Sequence, residues 1–198
     1  MSYINPLHPP VPSNIHSSYT SLAGAYSAYQ PPFAQVLPPN LRRLPQAPKS
    51  KQPSSHSPLC PAVTFNLQHY ASGLGVPMCE LRARSAFALE QILVGANDVV
   101  GPQMRYRTVQ LKIFWPGYDD YTCSLNIYTS AGPVTRGKLA IQVAEAFVRF
   151  INDMKTKSPG PNGASWPLRD SLNHLSLSAL WNLYDDVWMA EVIVDRLH

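Results

Sequence analysis

Two consecutive periodicities constrain this chain more than any other feature. From Arg105 the side chains alternate with a period of two: Val109, Leu111, Ile113 and Trp115 point one way, Thr108, Gln110 and Lys112 the other. Pro116-Gly117-Tyr118-Asp119-Asp120 is turn material. The alternation then resumes, with Tyr121, Cys123, Leu125 and Ile127 on one face and Thr122, Ser124 and Asn126 on the other. This pattern predicts an antiparallel hairpin with one buried face. At Thr135 the period changes to that of a helix. Thr135 suits the N-cap, Val134 and Leu139 sit where a hydrophobic staple forms, and Leu139, Val143, Phe147, Phe150, Ile151 and Met154 share one stripe.

The flanking elements are read by the same rules. Ala62–Leu67 reads as a short strand. Met78–Val94 leans helical, with Glu80 and Arg84 as an i,i+4 pair and Gly95 as its stop. His174–Trp181 alternates, Asn182–Asp186 turns the chain, and Val187–Val194 returns as a strand. A helix over 175–184 is the alternative there, because Leu180, Leu183 and Tyr184 also form a stripe. The resulting order, β-α-β-β-α-β-β, predicts an α+β domain over residues 59–198, with a mainly antiparallel sheet carrying two helices on one face.

Residues 1–58 differ in kind. No Asp or Glu precedes Glu80, so the formal net charge of +4 resides in the N-terminal part, and 13 of the 20 prolines lie at or before Pro61. Repeated Pro-Pro steps remove backbone donors, and the Ser/Gln/Tyr background offers little apolar surface to offset ordering entropy. A disordered, basic Pro/Ser/Tyr-rich tail is the expectation. Its spaced aromatics from Tyr19 to Phe33 suit weak multivalent contacts. Arg42, Arg43, Lys49 and Lys51 suit contacts with phosphates, a nuclear import signal or a solvated linker. Phosphorylation of Ser57, before Pro58, would place negative charge beside these bases.

The segment from Trp115 to Ile151, WPGYDDYTCSLNIYTSAGPVTRGKLAIQVAEAFVRFI, carries a W-P-G-Y hairpin and a Pro133-Val134-Thr135-Arg136 helix start. With Asn182, Asp186, Trp188 and Ala190 in the closing segment Leu175–Asp195, it resembles a family of small proteins of mushroom-forming (basidiomycete) fungi whose domain has no assigned activity. The resemblance implies an intracellular basidiomycete protein and brings no catalytic residues with it.

Direct signs of chemistry are sparse. Gly73-Leu74-Gly75 lacks the third glycine and the Lys-Ser/Thr of a phosphate cradle, and no G-x-S-x-G elbow occurs. Cys60, Cys79 and Cys123 form no C-x-x-C pair and complete no zinc pattern, so neither metal nor cofactor is expected. The carboxylate pairs Asp119-Asp120 and Asp185-Asp186 fall in expected turns, where Asp hydrogen-bonds its own backbone. His174, with Asp170, Asp185 or Asp186, is the candidate general base of an enzymatic reading. Cys123 alternates inward as a core thiol, whereas Cys79 lies beside a turn. Among the tryptophans Trp166 stands apart, in a Ser/Pro/Gly loop, either as an anchor or as a partner contact.

The N-terminus has no secretory h-region, and no run approaches about 18 apolar residues. A cytoplasmic or nuclear protein that is not secreted and touches no membrane is therefore expected. The leading functional reading is a non-enzymatic interaction or regulatory protein, with a role in fungal development, that binds a protein partner through its α+β domain; Trp166, Arg42, Arg43, Lys49 and Lys51 are the candidate contacts. The alternatives are a small hydrolase-like enzyme built on His174 and the paired carboxylates, and a weak nucleic-acid binder acting through the basic tail.

Overall fold

The computed structural model describes residues 36–45, 60–161, 163–169 and 172–196. In chain order it contains β1 (Leu41–Arg43), β2 (Val63–Thr64), β3 (Val76–Pro77), α1 (Met78–Ala83), α2 (Ala86–Glu90), β4 (Thr108–Ile113) and β5 (Tyr121–Asn126). There follow β6 (Tyr128–Thr129), β7 (Gly132–Pro133), α3 (Arg136–Met154), β8 (Leu175–Tyr184) and β9 (Val187–Asp195). The fold is α+β. No helix among the described residues is long and apolar enough to cross a membrane.

The main sheet runs β2-β8-β9-β4-β5, with β3 beside β8 and β1 beside β9. Its pairs are antiparallel except β4 with β9, which is parallel. The sheet is thus mainly antiparallel, with one parallel seam made possible by the long excursion through β5, α3 and β8.

The predicted hairpin is present, with Leu111 opposite Cys123 and Val109 opposite Leu125. Val109, Leu111, Ile113, Leu125 and Ile127 are buried, whereas Thr122, Ser124 and Asn126 are exposed. Against the buried face packs α3, whose Leu139, Val143, Phe147 and Phe150 are each within 1% of complete burial. Burying one such side chain contributes about 1.5–3 kcal/mol, so this stripe is a principal stabiliser of the domain. The helix begins as the sequence predicts: Thr135 Oγ1 accepts from Lys138 N, and Val134 and Leu139 are both buried. Arg136 then ties three segments together, donating to the carbonyls of Thr64 and Gly95 and pairing with Asp98. A guanidinium suits this role because its planar fork presents several donors at once.

The structure departs from the sequence reading in several places, beginning with β3, β6 and β7, short strands that the expected order lacks. The single helix expected over 78–94 is two, because Arg84 is extended and Ser85 caps a new turn by accepting from Ala88 N. Ser competes well for that role, and its side-chain oxygen resets the chain direction. The strand expected over 174–181 is present, and not its helical alternative, but it runs through Tyr184, so that only Asp185 and Asp186 turn the chain. Its simple alternation is broken by register shifts after Leu177 and Asn182, and β8 and β9 are buried along nearly their whole length. A strand covered on both faces shows a continuous apolar run in place of alternation. Finally, Leu41–Arg43, assigned to the disordered tail, is a strand on the edge of β9, with Arg43 opposite Ile193. Backbone ladders hold it, and such bonds leave no side-chain pattern to read. The expectations for Tyr19–Phe33, Lys49, Lys51 and Ser57 lie outside the described residues.

Candidate functional site

The site grows from a collision of strands along one edge of β9. There β4 runs parallel, with Gln110 opposite Val187 and Lys112 opposite Met189. From the other end β1 runs antiparallel, with Leu41 opposite Asp195 and Arg43 opposite Ile193, and Leu44 N donates to Val192 O at 2.8 Å. The two strands head toward each other and meet at the level of Glu191, where both must leave the sheet. Arg43 forms an ion pair with Glu191 at this junction, and the Glu191 side chain is only 3% exposed. Burial lowers the pKa of the Arg43 guanidinium from its usual value. A buried carboxylate needs such a partner, since an unpaired charge there costs several kcal/mol, on the order of 3–5.

Beyond the junction the diverging chains open a cleft of about 480 Å³, lined by Pro45, Phe114, Trp115, Tyr118, Pro161 and Trp166. The exposed Asp120 stands at its rim. Two loops form the walls, and they are fastened to each other. The Trp115 indole N–H donates to Trp166 O at 2.8 Å, and Gly160 N donates to Gly117 O at 2.7 Å. At φ +88° Gly117 adopts a conformation that side chains rarely take, and a Cβ there would lie 2.4 Å from Gly163 Cα. Two glycines therefore let the backbones touch, and the cleft is held open by this main-chain contact together with the Trp115 side-chain bond.

Trp166 divides this cleft from a smaller one of about 150 Å³, which Arg169, His174, Asp195 and Arg196 line together with Trp115 and Ser165. The indole is half-buried, and the Arg42 guanidinium sits 5.5 Å from its ring centroid. A cation in that position is attracted by the ring quadrupole. Trp166 is thus both an anchor, through its backbone, and a wall between two cavities.

Among the described residues the enzymatic constellation is not assembled. His174 precedes β8 and Asp185-Asp186 follow it, so ten extended residues, roughly 33 Å, separate them. His174 is 3% exposed, and its carbonyl accepts from Asp195 N. Asp185 and Asp186 form the turn that Asn182 secures by donating to the carbonyls of Asp185 and Val187. The two acidic pairs do not meet either: Asp186 O accepts from Gln110 N near the start of β4, whereas Asp119 and Asp120 follow its end. Asp170 lies outside the described residues. Among the described residues no group of three His, Cys, Asp or Glu is placed to hold a metal ion.

Of the four bases expected to contact partners, Arg42 is stacked on Trp166 and Arg43 is committed to Glu191. Lys49 and Lys51 lie outside the described residues. Cys60 is buried, while Cys79 and Cys123 are half-buried, and the Cys123 thiol is packed against the core, where burial pushes its pKa up.

Sequence reasoning found Trp166 but missed Pro45, Phe114, Tyr118 and Pro161, and missed the Gly117–Gly163 contact. The glycines were visible as turn residues; that their two turns touch is a tertiary fact. No family model, curated protein or solved structure matches this chain.

Proposed function

We propose that this chain is a non-enzymatic interaction protein that takes a segment of a protein partner into the cleft between Trp115 and Trp166. The observation that carries this reading is the pre-organisation of the cleft. Its aromatic and proline lining is fixed by the Trp115–Trp166 and Gly160–Gly117 hydrogen bonds, so little ordering entropy remains to be lost on binding. Its volume and its apolar lining with few polar groups are those of a ligand-binding cleft. Trp, Tyr and Arg are also the residue types that dominate binding energy at protein interfaces. A cytoplasmic or nuclear setting, and kinship with the proteins of mushroom-forming fungi, belong to the same proposal, as does a regulatory role in their development.

The test is site-specific photocrosslinking in native cells, with the photoreactive residue at Ser165 beside the cleft or, as a control, at exposed Asn126 on β5. The expected result is one discrete adduct from Ser165, mapped by mass spectrometry to a single partner segment and lost in a folded Trp166→Ala variant. Identical adducts from both positions, or an adduct indifferent to Trp166, would overturn the reading.

A further inference from the structure

We infer that the smaller cavity beside Trp166 reads a phosphorylated side chain on the segment held in the larger one. The inference rests on the partner-binding role proposed above and adds the chemistry of the partner. Three observations support it.

The first is charge. Arg169 and Arg196 line the cavity, and Arg42 stands on the Trp166 ring that forms its wall. Against these stands one described carboxylate, Asp195, whose Oδ1 already accepts from Asn40 Nδ2 at 3.3 Å. Two guanidinium groups around one small cavity match a phosphate, whose oxygens accept parallel N–H bonds from the planar fork.

The second is depth. His174 and Trp115, both within 3% of complete burial, reach the cavity lining, so its floor is formed by the core and its mouth by the arginines. An anion entering it meets both guanidinium groups. Arg-lined pockets of this kind are the usual means of reading phosphorylated segments.

The third is continuity. Trp115, Ser165 and Trp166 line both cavities, so one extended segment crossing Trp166 reaches both. The two ends differ in sign: Asp120 at the rim of the large cleft, Arg169 and Arg196 on the far side. That polarity gives the segment a direction, with its phosphate on the arginine side.

The experiment titrates the full-length, ¹⁵N-labelled chain with phenyl phosphate, inorganic phosphate and acetate at constant ionic strength, following the Ser165 amide and the Trp166 amide and indole resonances. Phenyl phosphate is expected to give saturable shifts, to bind more tightly than inorganic phosphate because its ring stacks on Trp166, and to weaken by about tenfold or more in Arg169→Gln/Arg196→Gln. Both arginines are exposed, so the double variant keeps its fold, which its circular dichroism checks. Shifts that fail to saturate, equal response to acetate, or indifference to the double substitution would overturn the inference. Equal binding of inorganic and phenyl phosphate would assign the cavity to the free ion and overturn the phosphorylated segment. If the probes fail while the Ser165 adduct persists, the phosphate pocket falls and the partner cleft stands. If the probes bind and no adduct forms, the partner cleft falls instead.

Discussion

The indole N–H of Trp115 donates to the backbone carbonyl of Trp166 at 2.8 Å, joining two residues 51 positions apart. A side chain just past the end of β4 thereby positions the loop on which Trp166 stands. Trp115→Phe keeps most of the ring and removes the donor, leaving a part-buried carbonyl without that partner. A loss of about 1–3 kcal/mol is expected in urea unfolding. The same variant should weaken the Ser165 adduct, because the loop carrying Trp166 is no longer fixed. An unchanged midpoint together with unchanged crosslinking would show that this bond does not organise the cleft.

Gly117→Ala tests the other fastening. The substitution meets two independent obstacles, a φ of +88° and a Cβ position 2.4 Å from Gly163 Cα. Relief requires the loops to part, since the obstructing atom belongs to backbone. A destabilisation of about 2 kcal/mol or more follows from strain of this kind. Gly132→Ala is the control, because nothing lies within 4 Å of its Cβ position, although its φ of +105° still carries some strain. Thermal melts should rank Gly117→Ala well below Gly132→Ala; the reverse order would contradict the contact.

How much of this was legible in the sequence depends on the range of the interaction. The hairpin and α3 could be read because their partners are near in sequence and one face of each is wet, so polarity alternates with geometry. Ser85 interrupting the 78–94 helix was a local signal available in principle, outweighed there by apolar spacing. The β4–β9 seam and the placement of β1 were not legible, because backbone pairing between distant segments leaves no periodic trace. The site followed the same rule. Trp166 could be singled out as an unusual residue in a polar loop, but its cleft is made by Pro45, Trp115 and Gly117, which converge only when β1 and β4 meet on β9. The separation of His174 from Asp185 and Asp186, by contrast, was legible, because the strand expected from His174 already put the histidine at its start and both aspartates in the turn beyond it.

The hairpin assignment itself yields a paired test. Leu111 is fully buried against α3, so Leu111→Asp places an unpaired carboxylate in the core and should unfold the domain. Lys112, one residue on, points to the opposite face, where its Nζ donates to Tyr184 Oη at 3.3 Å and lies 5.9 Å from that ring's centroid. Lys112→Asp should therefore cost only about 1 kcal/mol. Circular dichroism melts of the two variants give the comparison, and equal tolerance would contradict the register.

The Arg43–Glu191 pair predicts non-additive behaviour. Glu191→Leu alone strands the Arg43 charge, and Arg43→Met alone strands a carboxylate whose side chain is 3% exposed; each should cost about 3 kcal/mol. Together they replace a buried pair by apolar groups, and the double variant should approach the parent in stability. A double-mutant cycle in urea measures this, with hydrogen exchange at Leu44 N reporting whether β1 stays on β9. Additive losses would show that the two side chains act separately.

Cys123 supplies a pH dependence whose sign can be worked out. Burial raises its pKa above the ordinary thiol value, with Arg149 acting weakly in the opposite direction. The folded state then keeps its proton at a pH where the unfolded chain has begun to lose it. Stability from this source is complete below the unfolded thiol pKa, about 8.5, and falls as pH rises from there through the folded value. Tyr121 adds to the same alkaline loss at higher pH, because burial and its hydrogen bond to Asp153 raise its pKa as well. Cys123→Ala should reduce the fall in unfolding free energy that begins near the ordinary thiol pKa, while leaving the later contribution of Tyr121 in place. In the parent chain at neutral pH, iodoacetamide should label Cys123 more slowly than a free thiol, since little thiolate is present. Rapid alkylation of the folded protein at Cys123, or an alkaline slope unchanged in Cys123→Ala, would contradict its burial.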